Sequence, residues 1–81
     1  MDGCDGGEQN SAFKYMERDA VELESTYPYK AKDGRCKYKA ANGKVKVVRF
    51  AKVKKNDADQ LRAAIALGPT SVSVEADKNA F

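Results

Sequence analysis

Residues 56–76 read NDADQLRAAIALGPTSVSVEA, and this stretch sets the fold class. Asp57, with Gln60 three positions on, has the spacing of a helix capping box. Leu61, Ala64, Ile65 and Gly68 follow at i, i+3, i+4 and i+7, the period of one helix face. Gly68 suits a left-handed position just past the helix end, and Pro69 cannot continue the helix. Beyond it, Val72, Val74 and Ala76 alternate with Ser71, Ser73 and Glu75, which predicts a half-buried strand over 70–76. Upstream, 44–53 is β-like: Val45, Val47, Ala51 and Val53 share one face, and Lys44, Lys46, Lys52 and Lys54 share the other with Val48 and Phe50. Arg49 interrupts the apolar face, so either both faces are partly covered or a bulge lies near Val47–Val48. Strand, helix and strand in succession make a unit like βαβ. The connection into the helix has no GxGxxG and no Walker loop, so no nucleotide site is indicated.

The first half is less regular. Three glycines and two aspartates in 1–7 favour a turn. From Glu8 to Asp19 the residues Ala12, Phe13, Tyr15, Met16 and Ala20 recur at helical spacing, which predicts an amphipathic helix. Residues 21–40 have no sustained period. Within them, Tyr27-Pro28-Tyr29 predicts an extended Thr26–Tyr27 junction, and Asp33-Gly34 predicts a turn. The fold class is therefore α+β: a helix, an irregular Tyr/Pro/Gly-rich loop, then strand-helix-strand.

Composition narrows the function. The 81 residues are 42% hydrophobic and 33% charged, with a mean hydropathy of −0.68. No apolar run approaches the roughly 20 residues of a bilayer span, and there is no signal-peptide pattern after Met1. With no His, the chain alone cannot supply the general base of a Ser-His-Asp or Cys-His site. Two cysteines without an imidazole cannot complete a zinc site, and neither a metal nor another cofactor is expected. A chain this short sits near the limit for one stable core, so a partner surface, a dimer or a longer polypeptide is expected.

Charge is segregated along the chain. Residues 1–29 carry seven acids against Lys14 and Arg18, residues 30–55 carry eleven bases against Asp33 alone, and 56–81 carry four acids against Arg62 and Lys78. A basic middle of this kind steers polyanions or, more commonly, is a solvated face. Lysine outnumbers arginine there, which argues against specific phosphate recognition. Tyr27, Tyr29 and Tyr38 interleave with Lys30, Lys32, Arg35 and Lys37, as on a single-strand nucleic-acid surface. Such tyrosines more often pack a loop and keep their hydroxyls wet. Ser11 and Lys14 match an S-x-x-K pattern, but its companion motifs are missing and the match is read as chance. Cys4 ahead of the first helix is either a nucleophile or half of a disulfide, and a chain without His favours the structural role.

The pieces form an ordered series. Gly3-Cys4-Asp5-Gly6-Gly7, Ala12-Phe13-Lys14-Tyr15, Glu24 with Tyr27-Pro28-Tyr29, and Gly34 with Cys36 and Tyr38 resemble the papain-like cysteine peptidases, closest to the cathepsin L-like group. The resemblance continues through Leu61, Ala64 and Gly68-Pro69, then Ser71-Val72-Ser73-Val74, to Phe81. It implies an internal piece of a two-domain fold, with 1–40 the end of the helical left-domain segment plus interdomain loop and 41–81 the start of the β-rich right domain. It places the catalytic cysteine, histidine and asparagine on other polypeptide, so no residue here is catalytic. Cys4 and Cys36 resemble structural cysteines whose partners lie upstream in two different bridges. Gly6 and Gly7 resemble the glycines whose backbone binds an extended substrate, while Glu8, Gln9 and Ser73 fall at S2 and S3 wall positions that are usually apolar. The implied partners are a peptide or protein substrate and the remainder of the protease domain. A homo-oligomer stays open, and neither a membrane nor nucleic acid is expected. The implied location of the parent is lysosomal, vacuolar or secreted.

If that geometry holds, Cys4 and Cys36 are not bonded to each other. The competing outcome is a bridge between them, because closing a loop of about 33 residues adds roughly 3–4 kcal/mol. The expected mass of the non-reduced monomer retains both thiol hydrogens, and a loss of two hydrogens overturns the expectation.

Overall fold

The computed structural model describes residues 3–77 and residue 79. Met1 and Asp2 of the expected turn, and Phe81 of the motif series, lie outside the described residues. The chain divides into two units, Met1–Ala51 and Lys52–Phe81.

In the first unit, a 3₁₀ turn over Gly3–Asp5 leads into helix α1, Gln9–Arg18. Both ends of α1 fall within a residue of the sequence expectation. Glu8 is the N-cap in an extended conformation, without a capping bond from its side chain. The helix stays on register because its apolar side chains meet partners within the unit. Phe13 stacks at a tilt on Phe50 with ring centroids 5.6 Å apart, and Tyr15 meets Tyr38 edge-on at 6.1 Å. The C-terminal carbonyls that a helix leaves open are partly satisfied. The Asp19 N–H donates to the Tyr15 carbonyl at 2.8 Å, and the Val47 N–H donates to the Met16 carbonyl at 3.1 Å. Arg18 lies in the last turn, where a cation complements the helix dipole, and its guanidinium also sits 5.6 Å over the Tyr15 ring.

After α1 the chain pairs once with its own later segment. Val21 and Val45 form an isolated antiparallel bridge. The Val21 N–H donates to the Val45 carbonyl at 2.7 Å, and the Val45 and Lys44 N–H groups donate to the Val21 carbonyl at 3.1 and 2.8 Å. A 3₁₀ turn at Ala40–Asn42 feeds this contact. Gly43 follows it where a Cβ would stand 2.6 Å from the Ala20 carbonyl oxygen, so the approach tolerates no side chain.

The expected strand over 44–53 is a correction. Apart from the bridge residue Val45, this segment forms no strand among the described residues, and no bulge arises near Val47–Val48 because there is no ladder to interrupt. Val48 is 91% exposed. Period-2 patterning predicts a surface suited to a sheet, but a strand exists only where a neighbour pairs with its N–H and C=O groups. The turn expected at Asp33-Gly34 is displaced as well. The chain bends at Ala31–Lys32, with Ala31 at φ +59, and the Asp33 carboxylate accepts the Cys4 N–H at 2.7 Å instead. Nor does the extended junction before Pro28 begin at Thr26. A turn occupies 24–26, held by the N–H groups of Thr26 and Tyr27 and the Thr26 hydroxyl, all donating to the Leu23 carbonyl at 3.0 Å.

The second unit holds α2, Ala58–Leu67. Asp57 caps it as expected, its carboxylate accepting the Gln60 N–H at 2.9 Å. The reciprocal half of the box is replaced: the Gln60 side-chain oxygen accepts the Lys54 N–H at 2.7 Å. Arg62 pairs with Asp59 one turn earlier on the exposed surface. At the C-terminus, Gly68 adopts φ +153 and ψ −168 rather than the expected left-handed helical geometry. Pro69 explains this, since its ring drives the preceding residue toward extended ψ, and only glycine combines that with so positive a φ. The expected strand over 70–76 does not form: these residues carry no regular secondary structure, and Val72 and Val74 are exposed. Leu67 is 92% exposed. Among the described residues of either unit, none is fully buried.

Two outcomes follow from these contacts. Asp57→Ala removes the cap of α2 at a cost of about 1 kcal/mol, so the helical signal in far-ultraviolet circular dichroism falls; an unchanged signal means the cap contributes nothing. In the first unit, partial withdrawal from water, reinforced by Tyr15, Asp19 and Glu22, raises the pKa of Tyr38, whose hydroxyl donates to the Ala20 carbonyl at 2.7 Å. Folding thus favours the neutral phenol, a stabilisation that is complete below the ordinary tyrosine value of about 10 and is lost as pH rises through the raised one. Alkaline absorbance titration is expected to show one late-ionising tyrosine that Tyr38→Phe removes.

Candidate functional site

The residues singled out by sequence fall into three places. Gly6, Gly7, Glu8 and Gln9 form the junction between the first 3₁₀ turn and α1. Gly6 has φ +106, and a Cβ built on it would meet no atom within 4 Å, so the space in front of its backbone is open. Glu8 is exposed with extended backbone, φ −108 and ψ 138, and Gln9 opens the helix half-buried. Ser73 belongs to the second unit, exposed on the irregular segment after α2.

Cys4 and Cys36 form the second group. Both are exposed free thiols, and both line one open cavity of about 730 Å³ in the first unit. Its other walls come from the 24–37 loop, including Tyr27, Tyr29 and the cations Lys30, Lys32, Arg35 and Lys37. Cys36 also borders a smaller cavity of about 550 Å³ beside Glu22, Tyr38 and Asn42.

The order in this region comes from carboxylates and one phenol that accept backbone N–H groups. Asp33 accepts from Cys4 at 2.7 Å, Glu24 from Tyr29 at 2.9 Å and Glu22 from Lys39 at 3.1 Å. The Tyr27 hydroxyl accepts the Lys37 N–H at 2.8 Å. These bonds hold an irregular loop that has no ladder of its own. Gly3 belongs to the same arrangement: its φ is +60, and a Cβ there would collide with the Asp33 carboxylate. Sequence reasoning missed Glu22, Glu24 and Asp33 in these roles. In the sequence Glu22 reads as charge, Asp33 as turn chemistry and Glu24 as part of the motif series, and no spacing rule links Asp33 to a backbone group 29 residues away.

Chemically, the arrangement can present backbone and polar side chains to a ligand. Among the described residues, no group of three or more His, Cys, Asp or Glu side chains is placed to hold a metal, and no helix is long and apolar enough to cross a membrane. With no His in the sequence, there is no imidazole to act as base toward either thiol.

Comparison with known proteins agrees with the ordered motif series. The family described as papain family cysteine protease matches residues 1–81. Mouse cathepsin 7 is 39% identical over 98% of this chain, which covers 24% of that relative. Cysteine endopeptidase RepA of Oryza sativa subsp. japonica is 41% identical over 98% of the chain, covering 21% of the relative. Cysteine proteinase 5 of Dictyostelium discoideum is 35% identical over 98%, covering 23%. The chain thus spans about a quarter of the length of the curated relatives it matches. No solved structure is significantly similar to it. From the first glycine-rich turn through the segment after α2, the chain belongs to the papain family of cysteine proteases.

Proposed function

We propose that the chain is a segment of a papain-like cysteine endopeptidase that supplies substrate-cleft backbone and pocket walls but no catalytic group. The observation that carries this reading is a family match along all 81 residues in a chain that spans about a quarter of its relatives and has no histidine. The parent would cleave peptide bonds through a thiolate–imidazolium pair and an acyl-enzyme, with nucleophile and base on other polypeptide.

In this reading Gly6 and Gly7 pair main chain to main chain with an extended peptide, by strand addition. The open space in front of Gly6 supports it, since an extended strand needs that clearance. Glu8 and Gln9 would line the S2 and S3 region with Ser73, giving a pocket more polar than one built for a bulky apolar P2 side chain. Cys4 and Cys36 would each bond an upstream cysteine, as scaffold. The boundary between the left-domain segment, 1–40, and the right-domain segment, 41–81, would fall just before the basic β-like stretch. The segments 44–53 and 70–76 would form strands once neighbouring strands satisfied their backbone groups. The parent's compartment would be lysosomal, vacuolar or extracellular.

The isolated chain is expected to hydrolyse no peptide. Cleavage by purified protein that disappears in Cys4→Ser overturns the non-catalytic assignment. For the parent, a scan of P2 side chains is expected to show efficient turnover with polar residues, and an ordinary preference for Leu or Phe at P2 sinks the polar-pocket reading.

A further inference from the structure

The sequence has asparagine at 10, 42, 56 and 79, and only Asn42 is followed by glycine. Asparagine is chemically labile because its side-chain carbonyl carbon lies within reach of the next residue's backbone nitrogen. Closing that five-membered ring is hindered mainly by the next residue's side chain, and glycine has none. Position 43 cannot acquire one here. A Cβ would stand 2.6 Å from the Ala20 carbonyl oxygen and 2.8 Å from the Ala20 Cβ. The fold thus demands, after Asn42, the residue that leaves it most open to attack.

The surroundings contain what the reaction needs and also what restrains it. Asn42 is half-buried and lines the cavity of about 550 Å³, which has ample room for water. Its side-chain amide bonds to no described residue and is free to turn. The nucleophile is less free. The Gly43 N–H donates to the Ala40 carbonyl at 3.1 Å, closing the 3₁₀ turn. Immediately beyond it, the Lys44 and Val45 N–H groups donate to the Val21 carbonyl at 2.8 and 3.1 Å. Ring closure rotates the Asn42–Gly43 peptide out of the turn. The bond to Ala40 must break first, and the bridge next to it limits the rotation.

We infer that Asn42 is a modification site, where asparagine converts spontaneously to isoaspartate and aspartate at a rate set by opening of the Val21–Val45 bridge. The Gly43 nitrogen gives its proton to water or hydroxide and attacks the Asn42 side-chain carbonyl carbon. The new C–N bond replaces the bond to Nδ2, which leaves as ammonia with a proton returned from solvent. One water then opens the cyclic imide at either carbonyl. Opening at the main-chain carbonyl routes the backbone through the former side chain and lengthens it by a methylene just before Lys44. Either product puts a new carboxylate in the cavity that Glu22 also lines. The longer path and the like charge both act against the bridge, so the conversion releases the contact that had restrained it. The assignment is independent of the peptidase reading, because it uses only the first unit's own backbone.

The test incubates the full chain at neutral pH with and without guanidinium chloride, and maps converted asparagines by peptide mass spectrometry. Isoaspartate is counted by enzymatic methyl transfer to its free carboxylate. Asn42 is expected to convert ahead of Asn10, Asn56 and Asn79, and about tenfold more slowly in the native chain, as one or two backbone hydrogen bonds would hold it. Faster conversion at another asparagine overturns the site, and equal rates in the two solvents overturn its control by the fold. Asn42→Gln, whose imide would need a larger ring, is expected to stay intact. Aged unsubstituted chain is expected to lose hydrogen-exchange protection at the Val21 and Val45 amides, while aged Asn42→Gln keeps it. Equal protection in the two aged proteins overturns the coupling to the bridge.

Discussion

The antiparallel contact between Val21 and Val45 joins positions far apart in sequence with three backbone hydrogen bonds. Around it, several other contacts of the first unit fall into place. The bridge returns the chain to the end of α1, which lets the Val47 N–H reach the Met16 carbonyl and puts Phe50 against Phe13. It also brings the backbone of Gly43 onto Ala20, a distance that any side chain would prevent. Tyr38 closes the same region by donating to the Ala20 carbonyl. Substituting a larger residue at Gly43 would therefore act on the bridge first and on helix packing second.

A fold held this way depends on hydrogen bonds more than on burial, and the balance has physical consequences. An exposed hydrogen bond exchanges with water and contributes only about 1 kcal/mol net, whereas burying a large aliphatic side chain contributes about 1.5–3 kcal/mol. No described residue is fully buried. The aromatic pairs Phe13–Phe50 and Tyr15–Tyr38 come closest to a core, and each leaves part of its rings wet. Local opening should be easy throughout such a structure. The exposed side chains of Val48, Leu67 and Val74 are apolar surface that a larger assembly would cover.

Local signals were legible in the sequence, and non-local ones were not. Both helices stood where periodicity placed them, with a capping residue marking the start of the second, because a helix satisfies its own backbone and needs only one covered face. Asp57 shows this well, since its role follows from three neighbouring residues. Strands over 44–53 and 70–76 failed for the complementary reason: alternation describes a surface, while a strand's existence depends on another segment. Asp33 failed more simply. Aspartate before glycine is a turn signal, yet its carboxylate was drawn to the Cys4 N–H across 29 residues, and the bend moved to Ala31–Lys32. For the candidate site, the ordered motifs pointed to the family, which spacing alone could not do. The shared cavity of Cys4 and Cys36 was invisible to either approach.

The arrangement around Cys4 bears on the scaffold role proposed for this thiol. A nucleophilic cysteine needs a base in reach and donors placed to stabilise developing negative charge. At Cys4 the Asp33 carboxylate accepts the residue's own backbone N–H, which takes up that donor and brings a carboxylate to the residue's backbone. A Cβ at Gly3 would collide with that carboxylate, and the φ of +60 there itself favours glycine. The same contact ties the first turn to the 24–37 loop that carries Cys36. In the proposed scaffold role the exposed thiol stays available for a bond while its backbone is held to the loop.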